Sequence, residues 1–191
     1  GLTEKRCELM PTLMIEDEIK PTTKTEDRNG VIIGGNFVWA YGGFDSYVVA
    51  KETEEQIFAP VTGRMKEEER GMDINHLDWM YWSEWINNLS RFKYGVQLGT
   101  PSAGTFNLNC AYHGIPCVGY DNVKTQKVCH PLLSVDVGNI GKAKSLMNKL
   151  KNDKEFYNEC SEMSVKKYNE CFSEKQYIYT MNEVIKEVLD E

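Results

Sequence analysis

Several common sequence signals are missing from this chain of 191 residues. No two cysteines have the Cys-x2-Cys spacing, which argues against a zinc knuckle. No apolar run approaches the roughly 18 residues that span a bilayer, and the first residues do not resemble a signal peptide. The Gly-x-Gly-x-x-Gly dinucleotide fingerprint is absent, and so is a phosphate loop that ends in Gly-Lys-Ser/Thr. No familiar short motif therefore assigns the function.

Basic residues are also fewer than acidic residues. The chain has 22 Lys and Arg residues against 29 Asp and Glu residues, which gives a net charge of −7. This balance argues against a general nucleic-acid or anionic-membrane binder, although it leaves room for a local anion pocket. Six scattered cysteines favour reduced thiols and a cytoplasmic location. Because the chain starts at Gly1 rather than Met, we expect a piece of a longer protein.

What the chain does have is an alternation of short apolar runs and amphipathic stretches. Residues 1–30 are polar and predict a linker or lead-in segment, and residues 31–191 predict one domain. The apolar runs are continuous, as expected for strands that are buried on both faces. Strands are predicted at 31–33, 56–61, 94–99, 115–120 and 132–135. The pattern predicts an α/β, Rossmann-like parallel sheet with helices on both faces.

Helices are predicted between and after these strands. The apolar spacing favours helices over 44–54, 76–92 and 105–113, with a charged surface segment over 65–75. Two or three helices complete the chain, and Asp153 is the N-cap candidate of one of them. Ser173 and Gln176 match the capping box, and Phe172 and Tyr177 occupy the hydrophobic-staple positions. The last helix is therefore predicted to begin at Ser173.

Ligands of parallel α/β sheets bind beyond the carboxyl ends of the strands. Here that rule selects the connections 34–43, 99–105 and 120–131. In the first, Gly34, Gly35 and Asn36 would let backbone amides approach a phosphate, and an ordinary structural turn is the alternative interpretation. The glycines alone do not decide between the two.

The connection 99–105 is rich in small residues and leads directly into a helix. Unpaired N–H groups and a partial positive charge at a helix N-terminus favour an anion. A diphosphate site is therefore predicted here, and its alternative is an ordinary capped helix. The candidate residues are Thr100, Ser102, Gly104 and Thr105.

Two further groups of residues are candidates. In the connection 120–131, Gln126 is a candidate substrate-binding residue and His130 a candidate general base, although a single His beside Pro131 also suits a structural role. Trp79, Trp82 and Trp85 follow helical spacing, which favours packing, with a stacking platform for a base or sugar as the alternative.

Taken together, residues 31–190 resemble the C-terminal, nucleotide-sugar-binding half of a GT-B glycosyltransferase. The resemblance is to the group-1, GT4-like family of retaining enzymes. It rests mainly on the block Pro101-Ser102-Ala103-Gly104-Thr105-Phe106-Asn107-Leu108-Asn109, which runs on into Gly114-Ile115-Pro116-Cys117-Val118-Gly119. Further support comes from Ile32-Ile33-Gly34-Gly35, from Gly42-Gly43, and from the tail Asp153-Lys154-Glu155-Phe156-Tyr157.

The resemblance implies a hexosyltransferase-like enzyme whose donor substrate is a nucleotide-diphosphate sugar, with no cofactor and no metal. It also implies that Asn109 contacts the ribose of the donor. An N-terminal acceptor domain would complete the enzyme, so the fragment alone is expected to turn over little. The acceptor is a sugar, lipid or protein that the sequence does not identify.

This sequence departs from the family pattern at several positions. The family carries two glutamates eight positions apart, and Pro101 and Asn109 stand at those positions here. The family's Arg and Lys after the first strand have no counterparts in 36–43. These departures keep open a catalytically degenerate GT-B-like domain that serves only in interactions.

Overall fold

A parallel sheet of six strands forms the centre of the domain. The computed structural model describes residues 12–35, 41–60, 69–99 and 105–190. The strands lie side by side in the order β3-β2-β1-β4-β5-β6, and each neighbouring pair is parallel. Their bounds are β1 Asn29–Ile33, β2 Ile57–Pro60, β3 Asn75–Leu77, β4 Phe92–Gln97, β5 Cys117–Tyr120 and β6 Ser134–Val135. The predicted parallel sheet is confirmed.

Helices connect the strands and follow them. Their bounds are α1 Gly43–Ala50, α2 Trp82–Leu89, α3 Thr105–Tyr112, α4 Lys124–Cys129, α5 Ile140–Asn152, α6 Lys154–Cys171 and α7 Glu174–Asp190. Asp153 caps α6 as predicted, because its side chain accepts from the Phe156 amide at 2.9 Å. Among the described residues, no helix has both the length and the apolar character that crossing a membrane requires.

The core has two layers, one on each face of the sheet. Val31 and Ile33 of β1 pack with α1, α5 and the start of α6, whereas Ile32 packs on the opposite face with α2, α3 and the end of α6. All three β1 side chains are fully buried. Burial on both faces explains why the strands are continuous apolar runs, and the predicted helices on both faces are confirmed.

Three local expectations are wrong, and each has a physical reason. Residues 75–77 form an edge strand on β2 rather than the end of a surface segment and the start of a helix. Helix α2 begins only at Trp82, where the Glu84 carboxylate accepts from the Tyr81 amide at 3.1 Å. Residues 124–129 form α4 inside the connection 120–131, where the sequence predicts no helix. A helix of 6 residues is too short to show a clear apolar period.

The described part of the N-terminal segment is packed onto the domain. Met14 and Ile19 are buried in the layer that contains α2 and α6. The Arg28 guanidinium donates to the carbonyls of Ser90 and His113 at 3.0 and 2.6 Å. Residues 12–28, called the strap below, therefore form part of the folded unit.

The strap also holds the start of the last helix. The Glu16 carboxylate accepts from the Glu174 amide at 3.0 Å and from the Tyr168 hydroxyl at 2.7 Å. In return, the Glu16 amide donates to the Glu174 carboxylate at 3.0 Å. The carboxylate of Glu16 thus caps a helix that lies 158 residues further along the chain.

Ser173 caps α7 largely as predicted. The chain breaks its helical path at Phe172, and the Gln176 amide donates to Ser173 Oγ at 3.3 Å. A complete capping box would also have the Ser173 amide donate to the Gln176 side chain. Here the Ser173 amide donates to the Tyr168 carbonyl instead, and the Gln176 side chain donates to Thr180. The Phe172–Tyr177 contact stays a prediction.

We predict that Ser173→Ala lowers the free energy of unfolding by about 1 kcal/mol, because the Gln176 amide loses its side-chain acceptor. Urea denaturation followed by circular dichroism measures the change. Ser145→Ala, at an exposed serine within α5, is the control. An equal loss in both variants would contradict the capping role.

Candidate functional site

The carboxyl ends of β1 and β4 form the natural binding edge of this sheet. The two strands are neighbours, but the chain leaves β1 toward β2 on one side and leaves β4 toward β5 on the other. A crevice opens where connections diverge in this way, and ligands of such sheets bind there. Of the predicted site residues, Gly34, Gly35 and Thr105 lie at this edge. Asn36, Thr100, Ser102 and Gly104 lie outside the described residues.

Backbone packs against backbone where the connections after β1 and β4 meet. Gly35 and Gly42 have φ angles of 70° and 61°, and a Cβ on either would collide with the carbonyl of Tyr41 or of Leu98. A Cβ on Gly99 would come within 2.8 Å of the Tyr41 carbonyl oxygen. These glycines therefore have a packing role, which agrees with the structural-turn interpretation. Phosphate contact by Gly34 and Gly35 stays a prediction.

Ser46 ties the same two connections together. Its hydroxyl donates to the Gly42 carbonyl at 2.7 Å and accepts from the Leu98 amide at 2.9 Å. Ser46 is fully buried in the first half of α1, so the link is shielded from water. The connections after β1 and β4 are thus held together by hydrogen bonds as well as by close packing.

The electrostatics of the edge favour an anion at α3 rather than at α1. The first turn of α1 contains Asp45, which accepts from the Tyr120 hydroxyl at 3.1 Å. Burial, the Asp45 charge and this hydrogen bond raise the pKa of Tyr120 to about 12, so the phenol stays protonated. The first turn of α3 has no acidic residue, and its first residue, Thr105, is exposed. The partial positive charge at the α3 N-terminus is therefore not offset by a carboxylate in the first turn of α3.

Asn109 faces another helix rather than the crevice. It is 5% exposed, and both atoms of its amide are engaged once the group is oriented to satisfy them. Nδ2 then donates to the Thr105 carbonyl at 3.1 Å, and Oδ1 accepts from Trp85 Nε1 at 3.2 Å. A contact with ribose would require one of these bonds to break.

Gln126 and His130 belong to a buried network behind α3. Gln126 Oε1 accepts from Asn107 Nδ2 at 2.6 Å, and its Nε2 donates to the carbonyls of Cys117 and Leu133 at 2.9 and 3.3 Å. His130 Nε2 donates to the Asn107 carbonyl at 3.0 Å. The structure thus brings these two predicted residues together as supports of α3, away from solvent.

His130 is poorly placed for proton transfer with a bound substrate. The side chain is 2% exposed, and burial lowers its pKa to about 4, only partly offset by the hydrogen bond to Asn107. Since Nε2 carries the proton given to Asn107, Nδ1 faces the protein without a donor among the described residues. The arrangement favours the structural role that was the alternative for this histidine.

Sequence reasoning missed one polar side chain at the crevice. Gln97 ends β4 directly beside Gly34, and the structure buries most of its amide. A glutamine inside an apolar run gives no signal of its own. The only available hint was its place at the end of a strand next to the switch in strand order.

Aromatic side chains are exposed at the same edge, after β3. Trp79 and Tyr81 lie with ring centroids 4.7 Å apart, and Trp79 is 65% exposed. Trp82 is also exposed, whereas Trp85 is half-buried against the core. Packing thus accounts for Trp85, and the platform interpretation remains open for the other rings. The described residues include no cluster of three metal-ligating side chains.

Comparison with solved structures returns glycosyltransferases. Sucrose-phosphate synthase from Thermosynechococcus elongatus matches with a TM-score of 0.71 at 12% identity, over 95% of this chain and 52% of that one. An alpha-glucosyltransferase in complex with UDP and DNA matches with a TM-score of 0.68 at 13% identity, over 96% and 60% of the two chains. The fold is that of a GT-B glycosyltransferase domain. WaaG, a glycosyltransferase of lipopolysaccharide biosynthesis, agrees, with a TM-score of 0.64 at 9% identity over 84% and 51%.

This chain spans only 51–60% of the length of those chains. No protein-family model and no curated protein matches its sequence. The similarity at 9–13% identity therefore establishes the fold, and the activity has to be argued from the site.

Asn109→Ala distinguishes the two roles of this residue. Because the amide bridges α2 and α3, we predict a loss of about 1–3 kcal/mol in the free energy of unfolding, with nucleotide affinity unchanged under conditions where the variant is folded. Chemical denaturation and calorimetric titration with nucleoside diphosphates measure the two quantities. Weakened binding with unchanged stability would instead support the ribose contact.

A second prediction concerns the pH dependence of stability. The unfolded chain takes up a proton at His130 near pH 6.5, whereas the folded protein resists protonation until about pH 4. Stability is therefore lost as the pH falls through this window, by up to about 3 kcal/mol from this group. Urea unfolding at pH 6.5, 5.5 and 4.5 should show a smaller loss for His130→Gln than for the parent. Equal losses would show that His130 is not buried in its neutral form.

Proposed function

We propose that this chain is the donor-binding domain of a glycosyltransferase and that it holds a nucleotide-diphosphate sugar at the carboxyl edge of its sheet. The fold supports this proposal, since similar structures include a glucosyltransferase in complex with UDP-glucose. The observation that carries it is the switch in chain direction between β1 and β4, beside an α3 N-terminus that has no carboxylate in its first turn. That combination suits a diphosphate.

In the proposed complex, the diphosphate lies against the start of α3. Backbone amides and the hydroxyls of Thr100, Ser102 and Thr105 would hold its oxygens, with Gly104 leaving space for close approach. Gly34, Gly35 and Asn36 would form the facing wall. No arginine or lysine is needed in this arrangement, which agrees with the scarcity of basic residues in 36–43.

Transfer itself would depend on positioning and on stabilising charge in the leaving diphosphate. Bond cleavage places negative charge on the diphosphate, and the N–H groups at a helix start are already oriented toward that charge. We assign no proton-transfer step to His130, because it is buried behind α3. The acceptor would be bound by an N-terminal acceptor domain, so the isolated chain should bind donor weakly and turn over little.

A non-catalytic interaction domain of the same fold is the second candidate. Pro101 stands where the family has a glutamate, and Asn109, at the other glutamate position, is engaged with Trp85. Both observations remove groups that the resembled enzymes use. Donor binding separates the two functions, because only the first requires it.

Calorimetric titration with the diphosphates of uridine, guanosine, adenosine, cytidine and thymidine tests the proposal. We expect one or more to bind the parent, and Gly104→Val to abolish that binding, because a side chain there would stand between the amides and the phosphate. Far-UV circular dichroism should be unchanged.

Gly141→Val is the matched control, since the space around Gly141 is open for an added side chain and the residue is exposed on α5. It should bind as the parent does. If the parent binds none of the five, the interaction domain is the better assignment. If Gly104→Val binds as well as the parent, the diphosphate site lies elsewhere.

A further inference from the structure

A buried side-chain oxygen without a described partner lies at the carboxyl end of β4. Gln97 is the last residue of β4, and its side chain is 8% exposed. Its Oε1 is buried, and no described residue donates a hydrogen bond to it. Buried polar atoms in folded proteins are nearly always paired, so an orphaned acceptor at a binding edge calls for an explanation.

The surroundings of this amide are the elements that form the proposed donor site. A Cβ added to Gly34 would lie 3.1 Å from Gln97 Cδ and 3.0 Å from the ring of Phe106. Gly34 follows β1, and Phe106 is the second residue of α3. The Gln97 amide therefore lies where the end of β1, the end of β4 and the first turn of α3 meet. The absence of a side chain at Gly34 leaves room for it.

We infer that Gln97 recognises the transferred sugar, with Oε1 accepting a hydrogen bond from one of its hydroxyl groups. This assignment rests on the proposed function and adds a residue that selects for the glycosyl part of the donor. A carbonyl oxygen only accepts hydrogen bonds, and so do the ionised oxygens of a diphosphate. The group that satisfies Oε1 must therefore carry a proton, as a sugar hydroxyl does.

The position of the amide supports the same choice. The diphosphate is proposed at the start of α3, and Gln97 reaches the first turn of that helix from the strand side. In a nucleotide sugar, the glycosyl group is attached directly to the terminal phosphate. A sugar hydroxyl next to that phosphate would thus meet the unpaired Oε1 of Gln97. Asn107 Oδ1 is also unpaired among the described residues, but its side chain is turned toward Gln126 behind α3.

Titration of the folded domain with UDP and with UDP-glucose tests the inference. Gln97→Met keeps the length of the side chain and removes the amide. We expect it to weaken UDP-glucose binding about five- to tenfold, the effect of one lost hydrogen bond, and to leave UDP binding unchanged. Gln56→Met, the same change at an exposed residue beside the amino end of β2, should alter neither affinity.

Each other outcome overturns the assignment. If Gln97→Met binds UDP-glucose as the parent does, Gln97 does not contact the sugar. If it weakens UDP and UDP-glucose equally, the amide contacts the nucleotide, with Nε2 turned toward phosphate. A parent that binds neither probe refutes the proposed function for this donor, and the role of Gln97 falls with it.

A second variant guards against a folding defect. Gln97→Asn keeps a polar amide but withdraws it by one methylene, so it too should lose affinity for UDP-glucose and not for UDP. Thermal unfolding of each variant is measured first. If Gln97→Met does not fold, the asparagine variant alone decides between the outcomes above.

Discussion

Direct contact between two stretches of backbone governs the carboxyl edge of this domain. The connection after β1 approaches the connection after β4 so closely that Gly35, Gly42 and Gly99 have no room for a Cβ. Ser46 then fastens the contact by bonding to both sides of it. A side chain at any of these glycines would push the connections apart. The geometry available to a ligand is therefore set by the main chain, which is the least adaptable part of a protein.

Helix α3 is held by polar bonds from two sides. The bond between Trp85 and Asn109 links it to α2. On the other side, Gln126 of α4 and His130, just after α4, bond to Asn107. Buried hydrogen bonds of this kind fix one arrangement, because any shift would leave more polar groups unpaired. A helix whose N-terminus is to meet an anion benefits from this rigidity, since its N–H groups need not reorganise on binding. Around α3, three buried atoms lack a partner among the described residues: Gln97 Oε1, Asn107 Oδ1 and His130 Nδ1.

Sequence patterns predicted the parts of the fold that depend on burial. Strands such as β1 and β5 are rich in apolar residues because both faces are covered, and that composition is visible in the sequence. The edge strand β3 has 3 residues and was missed, since its pairing with β2 depends on tertiary contact. At the site, the sequence predicted which edge of the sheet a residue lies near, but it did not predict which way the side chain points. Gln126 looked like a ligand contact, but its partner Asn107, 19 residues away, turns it inward.

The pair of hydrogen bonds between Glu16 and Glu174 has a consequence for folding kinetics. It joins residues 158 positions apart, so it closes almost the whole chain into a loop. Closing a long loop costs conformational entropy before any contact is gained, and such contacts tend to form after the local ones. We therefore expect the strap to dock late and to detach first, with amide protons that exchange sooner than those of the central strands. The crevice lies at the carboxyl edge, whereas Arg28 anchors the strap beside the amino end of β4. We therefore expect local opening of the strap to expose Met14 and Ile19 without breaking the contacts at the carboxyl edge.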